Sequence, residues 1–338
     1  MKRQEQIRNW LAELWRDQDF DLAAASADAS FRRYFRACRS DGSSVVVMDA
    51  PPANEDCRPW LHVQSLFRHA GVHVPEVLAS DLDQGFLLLS DLGDATYLAA
   101  LNPDNAVALY ADAIDALVRI QLASRPGQLP EYDKALLRRE FDLFPEWFLR
   151  RHHGIELSAA DRDAIEAVFE RILQANLSEP KVFVHRDYHS RNLMHLPGGG
   201  NPGIIDFQDA VYGPISYDMV SLLKDAYIEW DEDIALDWLI RYWEKARKAG
   251  LPVDPDFGTF FRQYEWMGVQ RHVKVLGIFA RLWHRDGKDG YLKDLPLVAR
   301  YLRKACERYE ELSPLRHLLD RVEDKVTVLG YTLEKRDI

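Results

Sequence analysis

The apolar residues of this 338-residue chain change their spacing near residue 90. Before that point, short apolar runs such as 45–48 and 86–89 stand between turn residues, which predicts an antiparallel sheet with one inserted helix at 55–70. After it, apolar residues recur every three to four positions over long stretches, which predicts helices. These stretches are 104–123, 134–152, 159–176, 215–225, 232–249, 257–283 and 295–320. The change predicts an α+β chain with a small sheet-rich lobe at 1–90 and a mostly helical lobe at 91–338.

The composition excludes several classes of protein. Hydrophobic residues make up 47% of the chain, which is enough for a sizeable core and too many for a disordered chain. A net charge of −11 disfavours a nucleic-acid binder, which normally presents a basic face. The three cysteines lack the C-x-x-C spacing of a zinc cluster, and the sequence contains neither a signal peptide nor a membrane-spanning apolar run. We therefore expect a cytoplasmic globular protein with no membrane segment and no obligate protein partner.

The segment from His185 to Asn192 reads H-R-D-x-x-x-x-N and is followed by an apolar strand that ends at Asp206. Transfer of a phosphoryl group needs one carboxylate facing the acceptor hydroxyl and further oxygen ligands for Mg²⁺. Asp187 can supply the first, and Asn192 and Asp206 can supply the others. Each residue alone is more typical of a turn or a strand end. Their joint spacing between two predicted strands favours a kinase-type site.

These residues resemble the protein-kinase-like phosphotransferases, a family that includes aminoglycoside phosphotransferases and choline kinases. Four further segments resemble the branch of bacterial anomeric kinases that act on N-acetylmuramate and N-acetylglucosamine in cell-wall recycling. They are 28–36, 45–52, 205–218 and 267–279.

The resemblance implies a bilobal protein-kinase-like fold with ATP and Mg²⁺ as cofactors. It also implies roles for particular residues. Asp187 would be the catalytic base, and Asn192 and Asp206 would be the metal ligands. His185 and Asp218 would support the catalytic loop, which is the segment 185–192.

The region expected to bind the nucleotide departs from this pattern. Residues 29–35 contain no glycine, so Ser30 and the neighbouring backbone would have to serve as the phosphate loop. Met48 stands where the family usually places a phosphate-pairing lysine, and Glu55 or Asp56 is only a weak substitute for the glutamate that pairs with that lysine. The nearest candidate cations are Arg32, Arg33 and Arg36. Alternation along a strand would place Arg32 and Arg36 on one face and Arg33 on the other, and solvated strand arginines are the alternative interpretation.

Two leucines stand where a hinge segment would contact adenine through its backbone. Leu88 and Leu89 belong to the run 86–89 and would take this position by resemblance. A leucine run is equally typical of a buried core strand. Both interpretations stay open at this point.

Residues 261–293 form a basic island, with seven Lys or Arg against three acidic residues. Helical spacing places Gln270, Arg271 and Lys274 on one side, where Arg271 could pair a sugar carboxylate in bidentate fashion. Glu265 could accept a hydrogen bond from a sugar hydroxyl. A solvated helix face is the alternative interpretation of these four residues.

The sequence therefore predicts an ATP- and Mg²⁺-dependent kinase that phosphorylates the anomeric hydroxyl of a small amino sugar. Two alternatives remain open. One is a kinase of the same fold that acts on an aminoglycoside or a choline-like alcohol. The other is a nucleotide-binding pseudokinase, which is suggested by Met48 and by the absence of glycine from residues 29–35.

Overall fold

The computed structural model describes residues 2–27 and 31–334 and contains two compact units. The first unit comprises residues up to Ala123 together with Arg191–Asp209. The second comprises Ser124–Ser190 together with the residues from Ala210 onward. The predicted boundary near residue 90 falls inside the first unit, and the sequence-based division into lobes stays a prediction.

The first unit contains an antiparallel five-stranded sheet with the strand order β1-β2-β3-β5-β4. Its strands are β1 (Phe20–Ala27), β2 (Arg33–Arg39), β3 (Ser44–Asp49), β4 (Val77–Asp81) and β5 (Phe86–Ser90). A turn that includes Asp41 and Gly42 joins β2 to β3, in register with Cys38 opposite Ser44. Sequence analysis missed β1, because its run of small residues has little β propensity of its own.

The two faces of this sheet have different neighbours. On one face, Phe35, Val47 and Leu88 pack in a buried cluster with Ile7 and Leu11 of helix α1 (Lys2–Trp15). Because side chains alternate along a strand, the residues next to these point to the other face. That second face is the one that carries the candidate site.

Helices and a small hairpin complete the first unit. The helices are α2 (Cys57–His69), α3 (Tyr97–Ala100) and α4 (Ala106–Leu122), and the hairpin consists of β7 (Leu193–Met194) and β8 (Gly203–Ile204). Trp60 and Phe67 of α2 contact Phe207, and their ring centroids lie 5.0 and 5.7 Å, respectively, from the centroid of Phe207. This packing fixes the segment that follows β8 against α2.

The second unit is mostly helical and has one further strand pair, β6 (Lys181–Val184) with β9 (Val211–Pro214). Its α-helices are α5 (Lys134–Phe141), α6 (Ala159–Ser178), α7 (Tyr217–Leu223), α8 (Glu232–Lys248), α9 (Phe257–Asp286), α10 (Leu295–Arg308) and α11 (Ser313–Glu334). The predicted α+β class, with an antiparallel sheet first and helices after it, is confirmed.

Two predicted helices are each divided in the structure. The stretch 134–152 consists of α5 and a π-helix at Phe144–His152, with Pro145 in its first turn. The stretch 295–320 consists of α10, a 3₁₀ turn at Glu310–Leu312 and the start of α11, where Pro314 is the second residue. Proline has no backbone N–H, so it interrupts the hydrogen bonds of a preceding helix and is tolerated in the first turn of the next one. Each continuous apolar pattern therefore covers more than one helix.

Helix α9 runs through the interior of the second unit, with its residues from Tyr264 to Gly277 buried. Gly277 allows a close approach, because a Cβ atom there would lie 2.5 Å from Cβ of Leu143. The segment that leads into the π-helix therefore rests directly on α9. Within the described residues, no helix has the length and apolar character needed to cross a membrane.

Candidate active site

The segment between β6 and β7 is held by a buried aspartate, Asp218. The carboxylate of Asp218 in α7 accepts hydrogen bonds from the backbone N–H groups of His185, at 2.7 Å, and Arg186, at 3.0 Å. The backbone N–H of Asp187 lies 3.3 Å from Nδ1 of His185. Burial raises the pKa of Asp218 to about 6, although His185 and the two N–H donors favour its charged form. Asp218 and His185 thus fix the backbone on both sides of Arg186.

Arg186 has a φ angle of 77°, in the left-handed region that non-glycine residues seldom occupy. Its guanidinium group donates to Glu140 at 2.7 Å. Its carbonyl oxygen accepts from Arg271 at 3.0 Å and from Ser221 at 3.3 Å. These contacts hold the backbone of Arg186 in a strained conformation. This conformation sets the direction of the next side chain, that of Asp187.

Asp187 is two-fifths exposed and therefore open to solvent. Partial burial of Asp187 disfavours its charged form. The positive charges of Lys274 and Arg271 outweigh this effect and hold the pKa of Asp187 well below its usual range. The nearest of these cations is Arg271, whose Nη1 atom lies 3.7 Å from Oδ1 of Asp187. Asp187 is thus an oriented, anionic acceptor of hydrogen bonds at neutral pH.

The predicted acceptor residues of α9 are buried and bound to other protein groups. Gln270 donates to Glu140 at 2.9 Å, and Lys274 donates to the hydroxyl of Tyr217 at 2.9 Å and lies 3.3 Å from Glu140. A buried charge must be paired, and these side chains meet that need inside the unit. Gln270, Arg271 and Lys274 thus contact Glu140, Arg186 and Tyr217 inside the unit, and their role in binding the acceptor stays a prediction.

Glu265, the fourth predicted acceptor residue, has different surroundings. It is buried, accepts from Lys224 at 2.6 Å and pairs with Arg308. With these two cations it lines a small cavity of about 60 Å³. Its carboxylate therefore balances two cations.

Two functional residues were missed by sequence analysis. Glu140 is buried and is contacted by Arg186, Gln270 and Lys274, and also by Tyr132. Although burial opposes its charge, Lys274 and Arg186 lower the pKa of Glu140. In the sequence, it is one more acidic residue in a charged helix, and no local pattern marks it.

The second missed residue is Asp225, which lies just after α7. It accepts from the backbone N–H of Ser190 at 2.9 Å and from that of Tyr227 at 3.0 Å. His189 packs edge-on against Tyr227, with ring centroids 5.3 Å apart. Burial lowers the pKa of His189 to about 4, despite the opposing charges of Asp225 and Asp187, so its ring is neutral. In the sequence, Asp225 is the last residue of the predicted helical stretch 215–225, and no local pattern marks it.

The two predicted metal ligands lie together in the first unit. The β7–β8 hairpin pairs Leu193 with Ile204 and continues with a hydrogen bond of 3.1 Å from the N–H of Ile205 to the carbonyl of Asn192. Nδ2 of Asn192 therefore lies 3.4 Å from Oδ2 of Asp206, which has a φ angle of 61°. An amide and a carboxylate both offer oxygen atoms, so this pair fits the donor set that Mg²⁺ prefers.

These two residues line a cavity of about 430 Å³ within the first unit, a volume typical of small-molecule sites. The sheet contributes the side chains that point away from α1, among them Tyr34, Val46 and Leu89. Ser90 at the end of β5 and the segment 91–94 after it form a further wall. The cavity thus combines an apolar sheet face with a polar end formed by Asn192 and Asp206.

The three candidate arginines have separate positions. Arg36 lines the cavity and holds Asp91 with two hydrogen bonds of 2.6 and 3.0 Å. Arg33 points to the α1 face and pairs with the buried Asp49, which removes it from the cavity. Arg32 lies 3.6 Å from Glu55. The predicted alternation is confirmed for Arg36 and Arg33.

Leu88 and Leu89, which were also predicted to contact the nucleotide, lie on opposite faces of the sheet. Leu89 lines the cavity, but Leu88 packs in the cluster with α1, so its side chain is excluded. Because β5 pairs with β3 on one edge and β4 on the other, the backbone of both leucines belongs to the sheet. The segment 91–93, which follows β5, also lines the cavity. Ser30 lies outside the described residues.

Known proteins resemble this chain in sequence and in fold. The sequence profile of the phosphotransferase enzyme family matches residues 21–251, more than half of the chain. The chain belongs to the phosphotransferase enzyme family. Among curated members, it is 52% identical to an N-acetylmuramate/N-acetylglucosamine kinase of Neisseria meningitidis serogroup B, over 98% of this chain and 100% of that protein. It is 51% identical to the protein of the same name from Pseudomonas aeruginosa, over 92% of this chain and 91% of that protein.

Solved structures show that this phosphotransferase has the fold of small-molecule kinases. Choline kinase LicA from Streptococcus pneumoniae has a TM-score of 0.65 and 12% identity, over 90% of this chain and 100% of its own. Amicoumacin kinase hAmiN, solved with AMP-PNP, Ca²⁺ and Ami, has a TM-score of 0.60 and 13% identity, over 91% of this chain and 96% of its own. At these identities, the likeness concerns the fold alone.

Proposed function

We propose that this phosphotransferase is an ATP- and Mg²⁺-dependent sugar kinase, which phosphorylates the anomeric hydroxyl of N-acetylmuramate, N-acetylglucosamine or both. The observation that carries this proposal is the identity of about one half, over nearly the whole chain, with two proteins named for these sugars. The loop geometry supports it, because Asp187 is anionic, exposed and rigidly held.

In this proposal, the first unit binds the nucleotide. The cavity beside the sheet would take ATP, with adenine near the segment 91–93 and the phosphates near Asn192 and Asp206. When bound, Mg²⁺ neutralises phosphate charge as the phosphoryl group moves. Asn192 and Asp206 would hold it through their oxygen atoms.

Asp187 would accept a hydrogen bond from the sugar hydroxyl and orient it. Its low pKa makes it a weak base, and phosphoryl transfer depends more on positioning and electrostatics than on full proton removal. An anomeric hydroxyl is more acidic than an ordinary alcohol, which suits such a group. Arg271 and Lys274 keep Asp187 ionised and fixed.

For the sugar itself, we propose a set of aromatic rings next to the catalytic loop. Tyr227 contacts His189, and its ring continues to Phe279, with centroids 6.1 Å apart, and from there to Tyr291 at 5.1 Å. Tyr227 and Tyr291 are half-buried and so offer both an apolar face and a hydroxyl. This set replaces the buried residues of α9 as the acceptor surface in our proposal.

The proposed partners are small molecules, and the proposed compartment is the cytoplasm, where ATP is available. The net charge of −11 supports a small-molecule acceptor over nucleic acid. A polycationic aminoglycoside would prefer a surplus of free carboxylates near the loop. Here the buried acids Glu140 and Glu265 are already paired with cations.

The test is an assay of the purified chain with Mg²⁺-ATP and a panel of N-acetylmuramate, N-acetylglucosamine, kanamycin and choline. We expect turnover with one or both sugars, and a product whose ¹H–³¹P coupling places the phosphate on the anomeric carbon. Preference for kanamycin or choline would overturn the choice of acceptor. Nucleotide binding without turnover on any member of the panel would favour the pseudokinase.

A further inference from the structure

The residue at the usual lysine position cannot contact phosphate. Met48 is fully buried in β3, where it pairs with Tyr34 of β2 and Leu87 of β5. Kinases of this general type place a lysine on the corresponding strand to contact the nucleotide phosphates. A cavity that takes ATP must therefore obtain this positive charge from another part of the chain.

Two cations belong to the cavity. Among the described residues that line it, the basic side chains are Arg36 and Arg191. Arg36 is bound in bidentate fashion to Asp91 and also donates to the carbonyl of Gly93 at 2.8 Å. Through these contacts, Arg36 holds the segment after β5.

Arg191 lines the same cavity as Asn192 and Asp206, the predicted metal ligands. It directly precedes Asn192, whose carbonyl is fixed by the N–H of Ile205 at the start of the β7–β8 hairpin. The same hairpin brings Asn192 to within 3.4 Å of Asp206. Arg191 is therefore the cavity cation nearest in sequence to the groups that would hold the metal and its phosphates.

We propose that Arg191 contacts the phosphates of the nucleotide and supplies the charge that the absent lysine would supply. The inference rests on the proposed use of ATP. Arginine suits this task, because its planar group can bind two phosphate oxygens at once and stays ionised. This contact would also explain how a site with Met48 in place of the lysine can bind a triphosphate.

The experiment compares the affinities of adenosine, ADP and AMP-PNP, each with Mg²⁺, for the wild type, Arg191→Met and Arg191→Lys. Methionine keeps an unbranched side chain and removes the charge. We expect Arg191→Met to bind AMP-PNP about tenfold to hundredfold more weakly, with adenosine unchanged. Arg191→Lys should recover part of the loss. The matched control is Arg58→Met, at an exposed arginine of α2, and should bind all three ligands normally.

Two results would overturn the inference. One is an Arg191→Met variant that binds AMP-PNP as the wild type does. The other is an equal loss for adenosine and AMP-PNP, which would mean that Arg191 shapes the cavity without contacting phosphate. These assays contain no sugar, so a wild type that binds AMP-PNP through Arg191 but phosphorylates no amino sugar would refute the proposed function alone.

Discussion

Arg186 and Glu140 form an ion pair in which Nη2 lies 2.7 Å from Oε1, although the two residues are 46 positions apart. The pair connects the strained residue before Asp187 to helix α5. Lys274 and Gln270 contact the same carboxylate from α9. The conformation of the catalytic loop therefore depends on a buried charge that the loop itself does not contain.

Removing that charge should destabilise the protein and its loop together. For Glu140→Gln, we expect the free energy of unfolding to fall by about 3 kcal/mol, because Arg186 and Lys274 lose their buried counter-charge. Denaturant unfolding measures this change. The control is Glu146→Gln, at an exposed glutamate that pairs with Arg150 and Arg151, where the loss should stay below about 1 kcal/mol. Equal effects of the two substitutions would contradict the central role of Glu140.

A second buried glutamate should make stability depend on pH. Glu179 is 4% exposed, and its carboxylate accepts from the N–H of Ser216 at 3.2 Å. Burial raises its pKa to about 7, despite that hydrogen bond. The folded state thus holds this proton more tightly than the unfolded state, so the stabilising contribution is complete below about pH 4.5 and is lost as the pH rises through 7.

Glu179→Gln should remove this dependence, because an amide stays neutral and its oxygen can still accept from Ser216. At pH 8, we expect the variant to exceed the wild type in unfolding free energy by up to about 3 kcal/mol, and the two to converge near pH 4.5. Thermal melts across this range measure the difference. Parallel profiles for the two proteins would show that Glu179 titrates normally.

Local patterns predicted much of the fold and the spacing of the site. The alternation of Arg33 and Arg36 and the helical periods of the second half depend on neighbours in sequence, and the structure confirms them. The pairing of Asn192 with Asp206 follows from one short hairpin. Such features can be predicted because a few adjacent residues determine them.

The burial of α9 could not be predicted in this way. Its polar residues Gln270, Arg271 and Lys274 have the spacing of an exposed basic face. Their partners Glu140 and Arg186 come from distant segments that meet only in the folded unit. Sequence patterns report which residues share a helix side but not what that side packs against.

Asp187→Asn should abolish turnover and spare nucleotide binding. The variant keeps the size of the side chain and removes the anion that orients the acceptor hydroxyl. The cavity proposed for the nucleotide is lined by residues of the first unit, to which Asp187 does not belong. We expect at least a thousandfold loss of kcat with the affinity for AMP-PNP within about threefold. Asp83→Asn, at an exposed turn, is the control, and substantial turnover by Asp187→Asn would refute the role of Asp187.

Asp206→Asn should remove the effect of Mg²⁺ on nucleotide binding. In the wild type, we expect Mg²⁺ to strengthen binding of AMP-PNP, because Asp206 and Asn192, whose side chains lie 3.4 Å apart, would hold the ion beside the phosphates. The variant loses the only carboxylate of this pair, so titrations with Mg²⁺ and with EDTA should give nearly the same affinity. Adenosine has no phosphate and should bind both proteins equally well in either solution. A variant whose affinity for AMP-PNP still rises with Mg²⁺ as it does in the wild type would show that the ion is held elsewhere.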